Sequence, residues 1–189
     1  MFFNNIYYRQ ESFIPDHVCE EIKEYSINKI SEEGTVAHGL DKKIRDSRVT
    51  WLSDTWIADW FVDRVKEINN EVWKINLGGY ENIQFTKYSE NQFYGWHQDC
   101  TLDEENNTRK LSVVIPLSNS DEYEGGDLQF YNHLGKPQKE EDKKIMSDDS
   151  FRTKGTLIIF PSFTWHQVTK VTKGERMSLV VWFRGDVWR

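Results

Sequence analysis

Residues 155–166 read Gly-Thr-Leu-Ile-Ile-Phe-Pro-Ser-Phe-Thr-Trp-His, and this stretch decides the fold. Its run from Leu157 to Phe160 is wholly apolar, as in a strand covered on both faces. Pro161 lacks a backbone N–H and closes the strand. The chain then turns and delivers His166 at the start of the next β-prone run. A histidine so placed sits in the mouth of a sandwich, where a buried imidazole needs a partner.

Working outward, the spacing predicts strands at 83–88, 93–97, 111–117, 127–131, 156–160, 166–171 and 177–183, rich in Val, Ile, Phe, Tyr and Trp and punctuated by Gly, Asn or Pro. Residues 47–52 add one more. Before them lie two helices. Asp16 is a candidate N-cap for a segment carrying Val18, Ile22, Tyr25 and Ile30 at helical spacing. Asp54 opens a stronger amphipathic pattern through Ile57, Phe61, Val65, Ile68 and Val72, ended by Gly78 and Gly79. Residues 101–110 and 135–154 are polar and read as loops. The expected architecture is mainly β with flanking helices, a double-sheet fold whose N-terminal helices pack on one sheet. We expect one domain over 1–189, with helical support over about 1–80 and the β core over about 81–186.

Composition narrows the function classes. The chain has 189 residues, 38% of them hydrophobic and 29% charged, enough for a packed globular core. Its net charge of −7 argues against broad nucleic-acid or anionic-membrane binding. No apolar run reaches the ~18–20 residues needed to cross a bilayer. The start has neither a basic stretch nor a small-residue cleavage site, so a cytoplasmic protein is expected. Two cysteines, Cys19 and Cys100, cannot build a disulfide framework or a four-thiolate zinc site. Cys100 is expected to be a small buried side chain, and His17 and His133 to be surface residues.

Three elements carry chemistry. His97 and Asp99 stand two apart at the end of a strand-like run, so their side chains share one side and can reach one metal ion. His166 completes a two-histidine, one-carboxylate set, the arrangement of non-haem iron(II) oxygenase sites. Ten residues after His166, Arg176 and Ser178 share one face of the last strand. A buried Arg is costly without a carboxylate, and no protein partner is signalled, so a ligand carboxylate suits its fork.

The order Tyr88, His97-Gln-Asp99, His166, Arg176-x-Ser178 resembles the iron(II)/2-oxoglutarate-dependent dioxygenases, most closely the prolyl 4-hydroxylase-like branch. The resemblance spans about residues 45–184 and includes Arg45-Asp-Ser-Arg-Val-Thr-Trp51, Arg109-Lys-Leu-Ser-Val-Val-Ile-Pro-Leu117, Glu124-Gly-Gly-Asp-Leu128 and Gly155-Thr-Leu-Ile-Ile-Phe-Pro161. It implies a double-stranded β-helix, or jelly roll. It implies that His97, Asp99 and His166 bind Fe(II) and carry catalysis. Arg176 would hold the distal carboxylate of 2-oxoglutarate, with Tyr88 and Ser178 assisting. The implied reaction hydroxylates an unactivated C–H with O2, releasing succinate and CO2, with ascorbate as a reductant.

On the same resemblance the substrate is a prolyl residue of a peptide or protein, with Tyr94, Arg45 and Trp182 as candidate contacts. Other aromatic wall candidates are Trp96, Tyr131 and Trp165. Arg45, Arg48 and Arg109 would give the rim positive charge, and residues 34–48 (with His38) and 101–110 would flank it. The alternatives are the same chemistry on a free amino acid, another small molecule or a nucleobase, a cupin-like metal enzyme without 2-oxoglutarate, and a non-catalytic β-sandwich binding module.

Overall fold

The computed structural model describes residues 6–36, 39–100, 108–132, 137 and 144–187. Strand β1 (Tyr8–Gln10) precedes helix α1 (Asp16–Ile27), followed by β2 (Glu32–Glu33), β3 (Arg45–Asp46) and β4 (Arg48–Leu52). Helices α2 (Thr55–Ala58) and α3 (Val62–Val72) follow. Strands then dominate: β5 (Gly79–Tyr80), β6 (Ile83–Tyr88), β7 (Phe93–His97), β8 (Arg109–Pro116), β9 (Tyr123–Gly125), β10 (Leu128–Tyr131) and β11 (Ile145–Met146). After a 3-10 turn, Asp149–Arg152, come β12 (Leu157–Pro161), β13 (His166–Val168), β14 (Val171–Gly174) and β15 (Arg176–Arg184).

The larger sheet runs β1-β12-β8-β15-β6-β4-β2, with β5 also on β15. The smaller runs β11-β10-β13-β7-β3, and β14 pairs with β9 beside them. This is a jelly roll with its helices on the outer face of the larger sheet. The apolar strands are apolar because they separate two cores. Leu111, Val113 and Ile115 of β8, Leu157 and Ile159 of β12, and Leu179, Val181 and Phe183 of β15 meet the helices through Ile22, Phe61, Val65 and Ile68. The alternate residues Val114, Ile158 and Phe160 join Phe130, Leu128 and Val168 between the sheets. Burial on both faces leaves few polar positions in these strands, among them Ser112 of β8 and Arg176 and Ser178 of β15.

Several sequence expectations need correction. Asp16 does not cap α1: Pro15 holds the N-cap position in extended conformation and Asp16 is already helical. The helix stops at Ile27, leaving Ile30 96% exposed. The pattern from Asp54 is two helices, because Phe61 leaves helical geometry and is buried among the core side chains at the break. Asp54 makes no cap bond; its carboxylate accepts from the Tyr25 hydroxyl at 2.7 Å, tying α1 to α2. The stop also comes earlier than Gly78. The Asn69 side chain bonds both backbone groups of Ile75, at 2.7 and 3.1 Å, and Lys74 takes a positive φ of 57°.

Residues 144–154 are not all loop. Met146 pairs with Phe130, and the Asp148 carboxylate accepts from the Ser150 N–H at 2.9 Å to start the 3-10 turn. The run 166–171 is interrupted, and Val171 pairs instead with Gly125. Cys100 is only half-buried, while His17 is exposed as expected. His38, His133 and residues 101–107 lie outside the described residues. Among the described residues no helix is long and apolar enough to cross a membrane.

Candidate active site

Two strands of the smaller sheet and β8 of the larger build the candidate metal cluster. Strand β13 pairs with β7 in the register that sets His166 opposite His97. Asp99 lies just past β7, where its backbone N–H donates to the Ser162 carbonyl at 2.9 Å. Its Oδ2 accepts from Ser112 Oγ of β8 at 2.7 Å, and Ser112 Oγ lies 3.0 Å from Ser162 Oγ. The turn after Pro161 therefore fixes the carboxylate as well as the second histidine.

The imidazoles are aimed by their other nitrogens. His97 Nδ1 lies 2.8 Å from the Gly95 carbonyl and His166 Nδ1 2.9 Å from that of Thr164. A carbonyl can only accept, so each Nδ1 carries a proton and each Nε2 is the ring nitrogen left for a metal. Those Nε2 atoms lie 3.6 and 3.5 Å from the two Asp99 oxygens, and one ligand atom from each residue falls within 4.8 Å of the others. Burial, then the neighbouring His166, pushes His97 well below the ordinary histidine range, so it is neutral at pH 7. Burial favours the protonated form of Asp99, but His166, His97, Arg109 and the Ser112 hydroxyl outweigh it and hold the carboxyl below its usual range. The result is a buried carboxylate faced by the Nε2 atoms of two imidazoles. That donor set fits a divalent cation, and its nitrogen and oxygen atoms fit ferrous iron.

Arg176 is 2% exposed on the cavity face of β15, directly opposite Tyr88 in register. Its Nη1 donates to Ser178 Oγ at 3.1 Å, and its Nε has no hydrogen-bond partner. Among the described residues no carboxylate lies within ion-pair distance of it. A buried guanidinium left this way fits an anionic ligand. Arg176, Tyr88 and the His97–Asp99–His166 cluster share one cavity of about 300 Å³.

The candidate substrate residues divide. Tyr94, Arg45 and Trp182 line the same cavity. The Tyr94 ring stacks on His97 with centroids 3.5 Å apart, and the Arg45 guanidinium sits 4.6 Å from the Tyr94 centroid. Arg45 is 6% exposed, bonds Ser47 Oγ and the Thr35 carbonyl, and leaves Nη2 without a partner. Arg109 also reaches the cavity, bonding Glu81 through two nitrogens at 2.8 and 2.7 Å while lying 3.9 Å over Trp182.

Arg48 does not join the rim. It points to the other face of the sheet and bonds Ser31. Trp96 and Tyr131 pack on each other at 5.9 Å, and they and Trp165 lie outside the cavity lining. Sequence reading missed Gln84 and Trp51, which do line it. The period of two counted back from Tyr88 puts Gln84 on the pocket face, and pairing sets Trp51 opposite Gln84.

A family model described as the 2OG-Fe(II) oxygenase superfamily matches residues 83–184. A PKHD-type hydroxylase of Alteromonas mediterranea is 33% identical over 108 residues, covering 54% of this chain and 43% of that protein. The chain thus spans less than half the length of that relative. Among solved structures, a prolyl-4-hydroxylase of Pseudomonas putida superposes with a TM-score of 0.76 at 20% identity, covering 96% of this chain and 94% of the other. A prolyl hydroxylase of Trichoplax adhaerens, in complex with a hypoxia inducible factor peptide fragment, gives 0.77 at 16% identity over 96% and 84%. At such identities these two likenesses establish the fold.

Proposed function

From the membership of this chain in the 2OG-Fe(II) oxygenase superfamily, we propose that it is an Fe(II)- and 2-oxoglutarate-dependent dioxygenase that hydroxylates a prolyl residue presented by a peptide. The carrying observation is that a buried His97–Asp99–His166 cluster and a buried Arg176 without a protein carboxylate open on one cavity. When bound, iron and 2-oxoglutarate supply the activation of O2 for C–H hydroxylation, with succinate and CO2 released. Ascorbate, as the reductant that keeps the iron ferrous, belongs to the same proposal.

The protein's part is orientation and charge. His97 and His166 hold their Nε2 lone pairs toward the metal position through the carbonyl bonds of their Nδ1 atoms. Asp99 supplies the anionic ligand, fixed by Ser112. Arg176, preset by Ser178, receives the distal carboxylate of 2-oxoglutarate, and the Tyr88 hydroxyl donates beside it. Tyr94, Arg45 and Trp182 bound the remaining space, where the substrate C–H must come to lie.

The peptide is supported by the prolyl hydroxylases among the structural neighbours, one of them in complex with a peptide fragment. The test compares succinate release with proline-containing peptides, free L-proline and methylated oligonucleotide. Stimulation by peptide is expected. Stimulation by free proline alone would move the substrate to the small-molecule class, and stimulation by oligonucleotide alone would end the prolyl reading. A protein that bound neither Fe(II) nor 2-oxoglutarate would overturn the oxygenase assignment itself.

A further inference from the structure

Arg152, in the 3-10 turn before β12, lies outside the cavity but makes four hydrogen bonds to one short stretch of chain. Its Nη1 donates to the Gly125 carbonyl at 2.7 Å and to Asp127 Oδ1 at 2.6 Å. Its Nη2 donates to the carbonyls of Tyr123 at 2.7 Å and Ser120 at 3.1 Å, and the guanidinium covers the Tyr123 ring at 4.1 Å. A planar fork engaged on both sides in this way fixes a turn more rigidly than one ion pair would.

The held stretch is the floor beneath Arg176. Gly125 and Gly126 both take positive φ, 67° and 64°. A Cβ on Gly125 would run into the Lys170 carbonyl, and one on Gly126 would lie 3.1 Å from Arg176 Cδ and 3.3 Å from the Tyr123 ring. Among the described residues no carboxylate fixes the Arg176 guanidinium, which meets Ser178 Oγ on one nitrogen and the Tyr88 ring at 5.6 Å, so contacts along its stem also set how far the head projects into the cavity.

We infer that Arg152 is a positioning residue for the co-substrate anchor: by clamping the Tyr123–Asp127 turn it sets the depth of Arg176 and hence the affinity for a metal chelator that carries a distal carboxylate. This rests on the reading of Arg176 as the partner of the distal 2-oxoglutarate carboxylate. None of the Arg152 bonds reaches His97, Asp99 or His166, so the expected effect is on the distal carboxylate and not on the metal-chelating end.

The test is calorimetric titration of the full chain, loaded with Mn(II), with 2-oxoglutarate and with oxalate, which can chelate a metal but has no distal carboxylate. Arg152→Met should raise the Kd for 2-oxoglutarate about tenfold, the low end of what loss of a supporting residue costs a site, and leave the Kd for oxalate unchanged. Arg152→Lys should recover part of the loss. Should Arg152→Met fail to fold, Asp127→Ala removes one arm of the clamp and should shift the same ratio in the same direction. Arg9→Gln, which breaks the Arg9–Asp148 ion pair on the same 3-10 turn, should lower the melting temperature without moving either Kd. Parallel weakening of both ligands, or no change in either, would overturn the positioning role. An Arg176→Ala protein with unaltered 2-oxoglutarate affinity would instead overturn the anchor reading beneath it.

Discussion

His97 and His166 face each other across neighbouring strands, their ring centroids 4.1 Å apart, because β13 pairs with β7 in a register that sets one opposite the other. Both rings belong to the smaller sheet, whereas the Ser112 hydroxyl that holds Asp99 comes from the larger. The candidate metal centre therefore spans the gap between the sheets.

Ser112→Ala tests that span without touching a ligand. Supporting residues of this kind typically cost about 10–100-fold in metal affinity when removed. We expect a loss in that range for Ser112→Ala, and loss of measurable binding for His166→Ala, read by competition with a chromogenic chelator. Wild-type affinity in Ser112→Ala would mean that Asp99 is held by its backbone alone.

Arg176→Ala should weaken 2-oxoglutarate binding by about 2–5 kcal/mol, the cost of truncating one partner of a buried charge pair. Lysine at 176 should restore part of it, giving charge without the fork. Tyr88→Phe should cost about 1 kcal/mol, one hydrogen bond. Direct titration of the metal-loaded protein ranks the three, and any other order would displace the proposed anchor.

Trp51 is 44% exposed and lies against Trp182, with centroids 6.2 Å apart. Trp51→Ala should raise KM for a proline-containing peptide several-fold (about three- to tenfold) while succinate release without peptide stays intact, the signature of lost substrate binding with the chemistry spared. Equal loss of both activities would place Trp51 in the machinery rather than on the peptide's path.

Cys19 gives a pH effect. It is fully buried on the inner face of α1, and burial pushes its thiol up to about 11. An unfolded thiol ionises at ordinary cysteine values, so between those two pH values the unfolded state binds fewer protons than the native one and stability falls as pH rises. Denaturant melts at pH 7 and pH 10.5 should show a smaller stability loss for Cys19→Ala than for wild type. An identical loss would mean that the buried thiol contributes nothing to it.

Much of this was legible because covered strands and a metal cluster leave local marks. The apolar run at 157–160, the His-x-Asp pair and the Arg176-x-Ser178 alternation each lie within a few residues. What escaped depends on partners far along the chain. The helix from Asp54 breaks because Phe61 is wanted in the core. Strand β11 exists only because β10 offers an edge, and Trp51 enters the cavity through its pairing with Gln84. Arg45 was visible through a resemblance, but nothing local marks the Tyr94 ring it covers.

Strand β15 has a consequence for how such a protein can change. Arg176, Ser178, Val180 and Trp182 face the cavity, while Leu179, Val181 and Phe183 between them meet the helices. Inserting or deleting one residue there would exchange the two sets, putting a guanidinium into the helix interface and isolated apolar side chains into the pocket. A change of length between Arg176 and Phe183 would therefore cost the site and the core together, whereas single replacements on the cavity face leave the core side unchanged.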